Sequence, residues 1–124
     1  MTSEPCPCGA GAYEDCCGRY HRGEAGAPTA EALMRSRYSA FAVGDVGYLR
    51  DTWHPSTRPA RLAPDTDRRW TRLDVRATTG GGVFDGDGTV DFEAHYEVGG
   101  RAGVQRENSA FVRENRRWFY VGEV

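Results

Sequence analysis

All four cysteines of the chain fall within residues 6–17, as Cys6-Pro7-Cys8, a gap of seven residues, and Cys16-Cys17. This cluster constrains the fold more than any other feature. A segment of about 20 residues cannot bury a core of its own and depends on a metal or on disulfides. Two close pairs of thiols separated by a short loop can surround one ion, and zinc takes four such ligands as a tetrahedron with Zn–S near ~2.3 Å. The intervening Gly9-Ala10-Gly11-Ala12 supplies the backbone freedom of a tight turn, and Pro7 stiffens the first pair. The expectation is one structural Zn2+ held by Cys6, Cys8, Cys16 and Cys17. Four thiolates disfavour hard ions such as magnesium or calcium. They also leave no open position for a catalytic water.

Two disulfides are the main rival, with each of Cys16 and Cys17 pairing to Cys6 or Cys8, and a redox motif is a third reading. The Cys-x-x-Cys spacing of redox motifs is absent. Met1 to Pro7 is polar, with no basic segment leading into an apolar one, and no apolar run approaches the ~20 residues of a membrane span. A cytoplasmic location follows as an expectation, and there thiols stay reduced and favour the metal. His21, four residues beyond Cys17, stands either as a substitute ligand or as a neighbour that hydrogen-bonds near the site.

The remaining hundred residues are long enough for a core. Residues 1–22 form the expected knuckle, 23–28 a Gly/Ala/Glu/Pro linker, and 29–124 one larger domain. Thr29 offers an N-cap, and Leu33, Met34, Tyr38, Phe41 and Ala42 recur at helical spacing, with Arg35, Ser36 and Ser39 elsewhere on the wheel. Gly44 ends this helix and Asp45 starts a shorter one carrying Val46, Leu49 and Trp53, stopped by Pro55. The period then changes. Trp70 to Ala77 suggests a strand, and Val90, Phe92, Ala94, Tyr96 and Val98 alternate with polar residues. Gly99-Gly100 marks a hairpin, and Gln105–Arg113 and Arg117–Val121 follow as strands. Gly80-Gly81-Gly82 reads as a loop. Helices followed by antiparallel strands make an α+β fold, a curved sheet wrapped on the helices.

Such a sheet leaves room for a pocket. Glu107, Ser109 and Phe111 share one strand face, and Phe111 directs that face inward. A carboxylate there needs a partner, and with all 16 basic residues arginine, Arg35 and Arg37 of the first helix are the candidates. Trp53 and His54 complete the possible pocket, with His54 alternatively bonding a helix end. Trp53, Trp70 and Trp118 otherwise read as core, and His95 lies on a polar strand face beside Asp91, Glu93 and Glu97. No constellation demands catalysis, so no catalytic residue is assigned. The formal net charge of −2 disfavours nucleic acid as a partner, and composition leaves the oligomeric state open.

Residues 6–17, CPCGAGAYEDCC, resemble the SEC-C zinc motif, which also ends the SecA translocation ATPase; the gap here is seven where eight is common. With Gly18-Arg19-Tyr20-His21, LMRSRYSAF (33–41), TWHPSTRP (52–59), Glu107–Phe111 and Arg117–Val121, nearly the whole chain resembles the YchJ-like family. That resemblance implies a zinc motif followed by a domain with the nuclear transport factor 2-like fold, a cone of curved antiparallel sheet packed on helices. It implies no settled activity. Of the two functions compatible with these parts, the favoured one is an adaptor whose knuckle contacts a protein partner. The alternative is a small-molecule binder or enzyme using the cone pocket.

Overall fold

The computed structural model describes residues 4–63 and 67–124; the first three residues of the polar N-terminal stretch and residues 64–66 lie outside them. A short helical turn at Tyr13–Asp15 leads into helix α1 (Cys17–His21). Helices α2 (Ala30–Val43) and α3 (Val46–Asp51) come next, then strands β1 (Arg69–Gly80), β2 (Asp87–Val98), β3 (Arg101–Glu114) and β4 (Arg117–Glu123). The strands form one antiparallel sheet in sequence order. Register shifts in β1 and between Ala110 and Phe111 bend it. Among the described residues, no helix is long and apolar enough to cross a membrane.

The local signals act as their chemistry requires. The Thr29 side chain accepts from the Ala32 N–H at 3.0 Å, and Asp45 accepts from the Tyr48 N–H at 3.1 Å, so each cap satisfies a free amide in the first turn. Val90, Phe92 and Ala94 are buried on the inner face of β2, and Ser109 and Phe111 lie inward on β3. The segment after α3 is held by main chain: the Tyr120 N–H donates to Thr52 O, and the His54 N–H donates to Tyr120 O, both at 2.8 Å. This fixed segment carries Trp53 to the mouth of the sheet, a stronger stop for α3 than Pro55.

Two features depart from the sequence reading. Ser36 and Ser39, placed off the apolar stripe, are fully buried, whereas Ala42 is exposed. Helix α2 is covered on two sides, by the sheet and by the cysteine segment, so its small polar residues face protein. The Gly80-Gly81-Gly82 stretch is also more than a loop. Gly81 O accepts from the Ala30 N–H at 2.9 Å, and a Cβ on Gly88 would lie 2.5 Å from the Gly81 backbone. Main chain packs on main chain there, which only glycine permits, and the contact sets where α2 begins.

Candidate metal centre and cone cavity

The cysteine segment folds around backbone hydrogen bonds. The Cys6 N–H donates to Gly11 O at 2.7 Å and the Gly9 N–H to Cys6 O at 2.9 Å, closing a tight turn that aims Cys6 and Cys8 the same way. Gly18 lets Tyr13 approach α1: a Cβ there would meet Tyr13 O at 2.6 Å. These turns bring the sulfurs of Cys6, Cys8, Cys16 and Cys17 within 4.8 Å of one another, with Cys8 and Cys16 at 3.6 Å. Four sulfurs around a tetrahedral zinc stand about 3.8 Å apart, so this donor set fits that ion. The cysteines are free thiols, with Cys6, Cys8 and Cys17 buried and Cys16 half-buried.

The electrostatics fit as well. Hydrogen bonding from the Cys17 thiol, helped by the Ala10 backbone and opposed by burial, lowers Cys8 to about 5. Burial and the neighbouring Cys8 push Cys16 up to about 11. Cys17 is held far above the ordinary thiol range by its bond to Cys8 and by burial. The cluster thus stabilises one thiolate at the expense of its neighbours, the arrangement that a central dication resolves by ionising all four.

The cluster is anchored to α2. Cys6 Sγ and Ser39 Oγ share a buried hydrogen bond of 3.4 Å, and Arg35 Nη1 donates to Cys8 O at 3.0 Å while its Nε meets Glu31 at 2.9 Å. His21 bridges the two parts. Its Nε2–H donates to Ser36 O at 2.8 Å, and its Nδ1 accepts from the Tyr13 hydroxyl at 2.6 Å. Both ring nitrogens are engaged, which makes His21 a clamp beside the thiols.

A cavity of about 290 Å³ opens between α2 and the inner face of the sheet, lined among others by Arg37, Trp53, Glu107 and Ser109. Four of the six predicted pocket residues therefore converge. Arg35 does not join them, because the cysteine turn occupies its guanidinium. His54 also lies apart, bonding Glu114 at 2.8 Å and Ser56 at 2.7 Å, and so ties its loop to β3. His95 pairs with Asp74 at 3.0 Å on the outer face.

The expected Glu107–arginine ion pair does not form. Glu107 is half-buried and faces inward as anticipated, but its carboxylate accepts from the Ser109 hydroxyl and, at 3.1 Å, from the Tyr120 hydroxyl. Arg37 instead donates from Nη1 to Leu49 O at 2.9 Å and to Thr52 Oγ1 at 2.7 Å. Its guanidinium lies over Tyr120 at 4.5 Å and Trp53 at 5.2 Å. Burial lowers Arg37 to about 10, with nearby Tyr120, Tyr48 and Glu107 opposing that fall. Sequence reasoning missed Tyr38 and Arg68 as cavity residues; Tyr38 read simply as part of the apolar stripe.

A second, open cleft of about 800 Å³ lies between the cysteine segment and the β3–β4 hairpin. Tyr20, His21 and Arg22 form one wall, and Arg113, Arg116 and Arg117 the other.

The family described as YchJ, middle NTF2-like domain, matches residues 29–123. The chain belongs to the YchJ family. A UPF0225 protein of Streptomyces coelicolor is 54% identical, over 98% of this chain and 95% of its own length. One from Corynebacterium glutamicum is 56% identical over 96% of each. The solution structure of a SEC-C motif containing protein from Rhodopseudomonas palustris superposes with a TM-score of 0.84 at 32% identity, covering 98% of both chains. A crystal structure of a SEC-C motif containing protein from Psychrobacter arcticus gives 0.78 at 26%, covering 98% of this chain and 81% of that one. This YchJ-family chain thus has the expected α+β cone, preceded by clustered cysteines.

Proposed function

We propose that Cys6, Cys8, Cys16 and Cys17 hold one structural zinc ion, and that the protein is an adaptor whose zinc-organised surface receives an acidic segment of a partner protein. The cleft between knuckle and hairpin carries the adaptor reading. Its hairpin wall brings together Arg113, Arg116 and Arg117, facing an Arg22 that pairs with Glu24, a concentration of positive charge on a chain of net charge −2. Asp45, which caps α3, and Asp51 also line it, at the two ends of α3 and away from the strands of the hairpin that carries the arginines. Arg113 donates to Val83 O, and the adjacent Phe84 is 96% exposed, an apolar anchor beside the basic wall. The zinc has no catalytic part here, because four thiolates complete its coordination. Its role is to keep the knuckle wall against α2, so that both sides of the cleft are present together.

Charge reversal tests this reading better than truncation, because removing the knuckle would also uncover Ser36 and Ser39 of α2. Wild-type protein and the Arg116→Glu/Arg117→Glu double variant would be compared as baits in native lysate. The wild type should retain a specific acidic partner that the variant loses, and added salt should weaken the capture. Equal capture by both proteins, or recovery of nucleic acid in place of protein, would contradict the reading.

A further inference from the structure

The cone cavity, separate from the basic cleft, presents one open acceptor. Glu107 lines it and is half-buried. The hydroxyls of Ser109 and Tyr120 both donate to the same oxygen of that carboxylate, Oε2. Oε1 has no hydrogen-bond partner among the described residues and is not sealed from solvent. Two donors on one oxygen hold the carboxylate in place, so Oε1 keeps a fixed direction and its lone pairs stay available. Charge decides what it can take. Arg37 is 5% exposed and spent on Leu49 O and Thr52 Oγ1, so it reaches nothing inside the cavity, and Glu107 supports its charge. Arg68, the other lining cation, is spent on the Tyr96 ring at 4.1 Å and on Gln105 at 3.0 Å. An anion would face the Glu107 oxygen, and a cation would sit in the field of Arg37. The complement of Oε1 is a neutral N–H or O–H.

The walls narrow the class further. Phe41, Trp53, Trp70 and Tyr120 line the cavity and are only half-buried, so each has ring surface left for a guest to cover. Trp53 stands edge-on to Tyr120 at 4.9 Å, and Phe41 is tilted against Trp70 at 6.2 Å, so the rings are braced in pairs. The volume of about 290 Å³ lies near the lower end of small-molecule sites, which run from about 300 Å³ upward, and suits a body of one or two rings. We propose that the cavity binds a small neutral aromatic molecule carrying one N–H or O–H donor, of the indole or phenol kind, with the donor on Glu107 Oε1 and the ring among Phe41, Trp53 and Trp70.

The probe is indole, titrated calorimetrically into the full chain, with benzofuran as the analogue of the same shape that lacks the N–H. Submillimolar binding is expected for indole, with benzofuran weaker by about tenfold, the loss of one hydrogen bond to a charged acceptor. Indole-5-carboxylate, which keeps the N–H and adds a negative charge, should bind no more tightly than indole. Glu107→Gln turns a donor toward the guest and should weaken indole by about tenfold while leaving benzofuran unchanged. The ligand comparison on the wild type decides the matter even where that variant folds poorly. In NMR spectra of the labelled protein, indole should shift the side-chain N–H signals of Trp53 and Trp70, which line the cavity, and spare that of Trp118, which lines the cleft. Absence of indole binding, equal binding of indole and benzofuran, tighter binding of the carboxylate, or a shift confined to Trp118 would each overturn the proposal.

Discussion

Cys17→Ser is expected to destabilise helix α2 together with the cysteine segment. Cys17 is 1% exposed and belongs to the same buried cluster as Leu33, Met34 and Tyr38. Cys6 bonds Ser39, Arg35 bonds the Cys8 carbonyl, and His21 bonds the Ser36 carbonyl, so the cysteine turn and α2 share one polar interface. Structural zinc contributes about 10–16 kcal/mol of binding free energy in zinc-finger peptides, comparable to the about 5–15 kcal/mol stability of a whole domain. Losing one of four ligands should therefore cost about 4 kcal/mol or more, in the range reserved for metal and disulfide losses. Denaturant unfolding would give the magnitude, and hydrogen exchange the location. Protection should fall along Ala30–Val43 as well as in residues 4–22. Wild-type protection of α2 beside an unprotected knuckle would show two independently folding parts, the behaviour expected when the knuckle is regarded as a separate appendage.

Phe111→Ala should cost about 3–5 kcal/mol, while Phe84→Ala should lie within about 0.5 kcal/mol of wild type. The two residues have the same chemistry and opposite surroundings. Phe111 is 2% exposed, pairs with Gly88 across β2 and packs edge-on against Tyr120 at 5.7 Å. Its truncation would leave a void joined to the cone cavity and would remove the ring contact with Tyr120 of β4. Phe84 is 96% exposed on the β1–β2 loop and gives up almost no buried area. Urea unfolding of both variants checks the contrast. Equal effects would mean that β3 does not present Phe111 to the core.

The strands were readable because alternation is a direct record of a sheet with one buried face. Val90, Phe92 and Ala94 are buried as their spacing indicates, and the inward turn of Glu107, Ser109 and Phe111 follows from Phe111 alone. The cysteine cluster was readable because thiol ligands are rare and local. The second burial of α2 was not. Ser36 and Ser39 look like solvent-facing residues on a helical wheel, and nothing in α2 itself records that the segment 20 or 30 residues earlier folds back over them. The same limit explains the arginines. Arg35 and Arg37 are two positions apart and so point to different sides, one to the cysteine turn and one to the cavity. Glu107 was correctly placed but assigned the wrong donors, because Tyr120 and Ser109 reach it through sheet register, and hydroxyls carry no charge by which to be picked out in a sequence.

The proposed metal centre is a single zinc ion coordinated by Cys6, Cys8, Cys16 and Cys17. It is tested most directly by metal analysis and zinc-edge X-ray absorption on protein purified without added zinc. About one zinc per chain is expected, with four sulfur neighbours near ~2.3 Å. A metal-free protein containing two disulfides, or a zinc whose ligands include the His21 nitrogen in place of a sulfur, would contradict it.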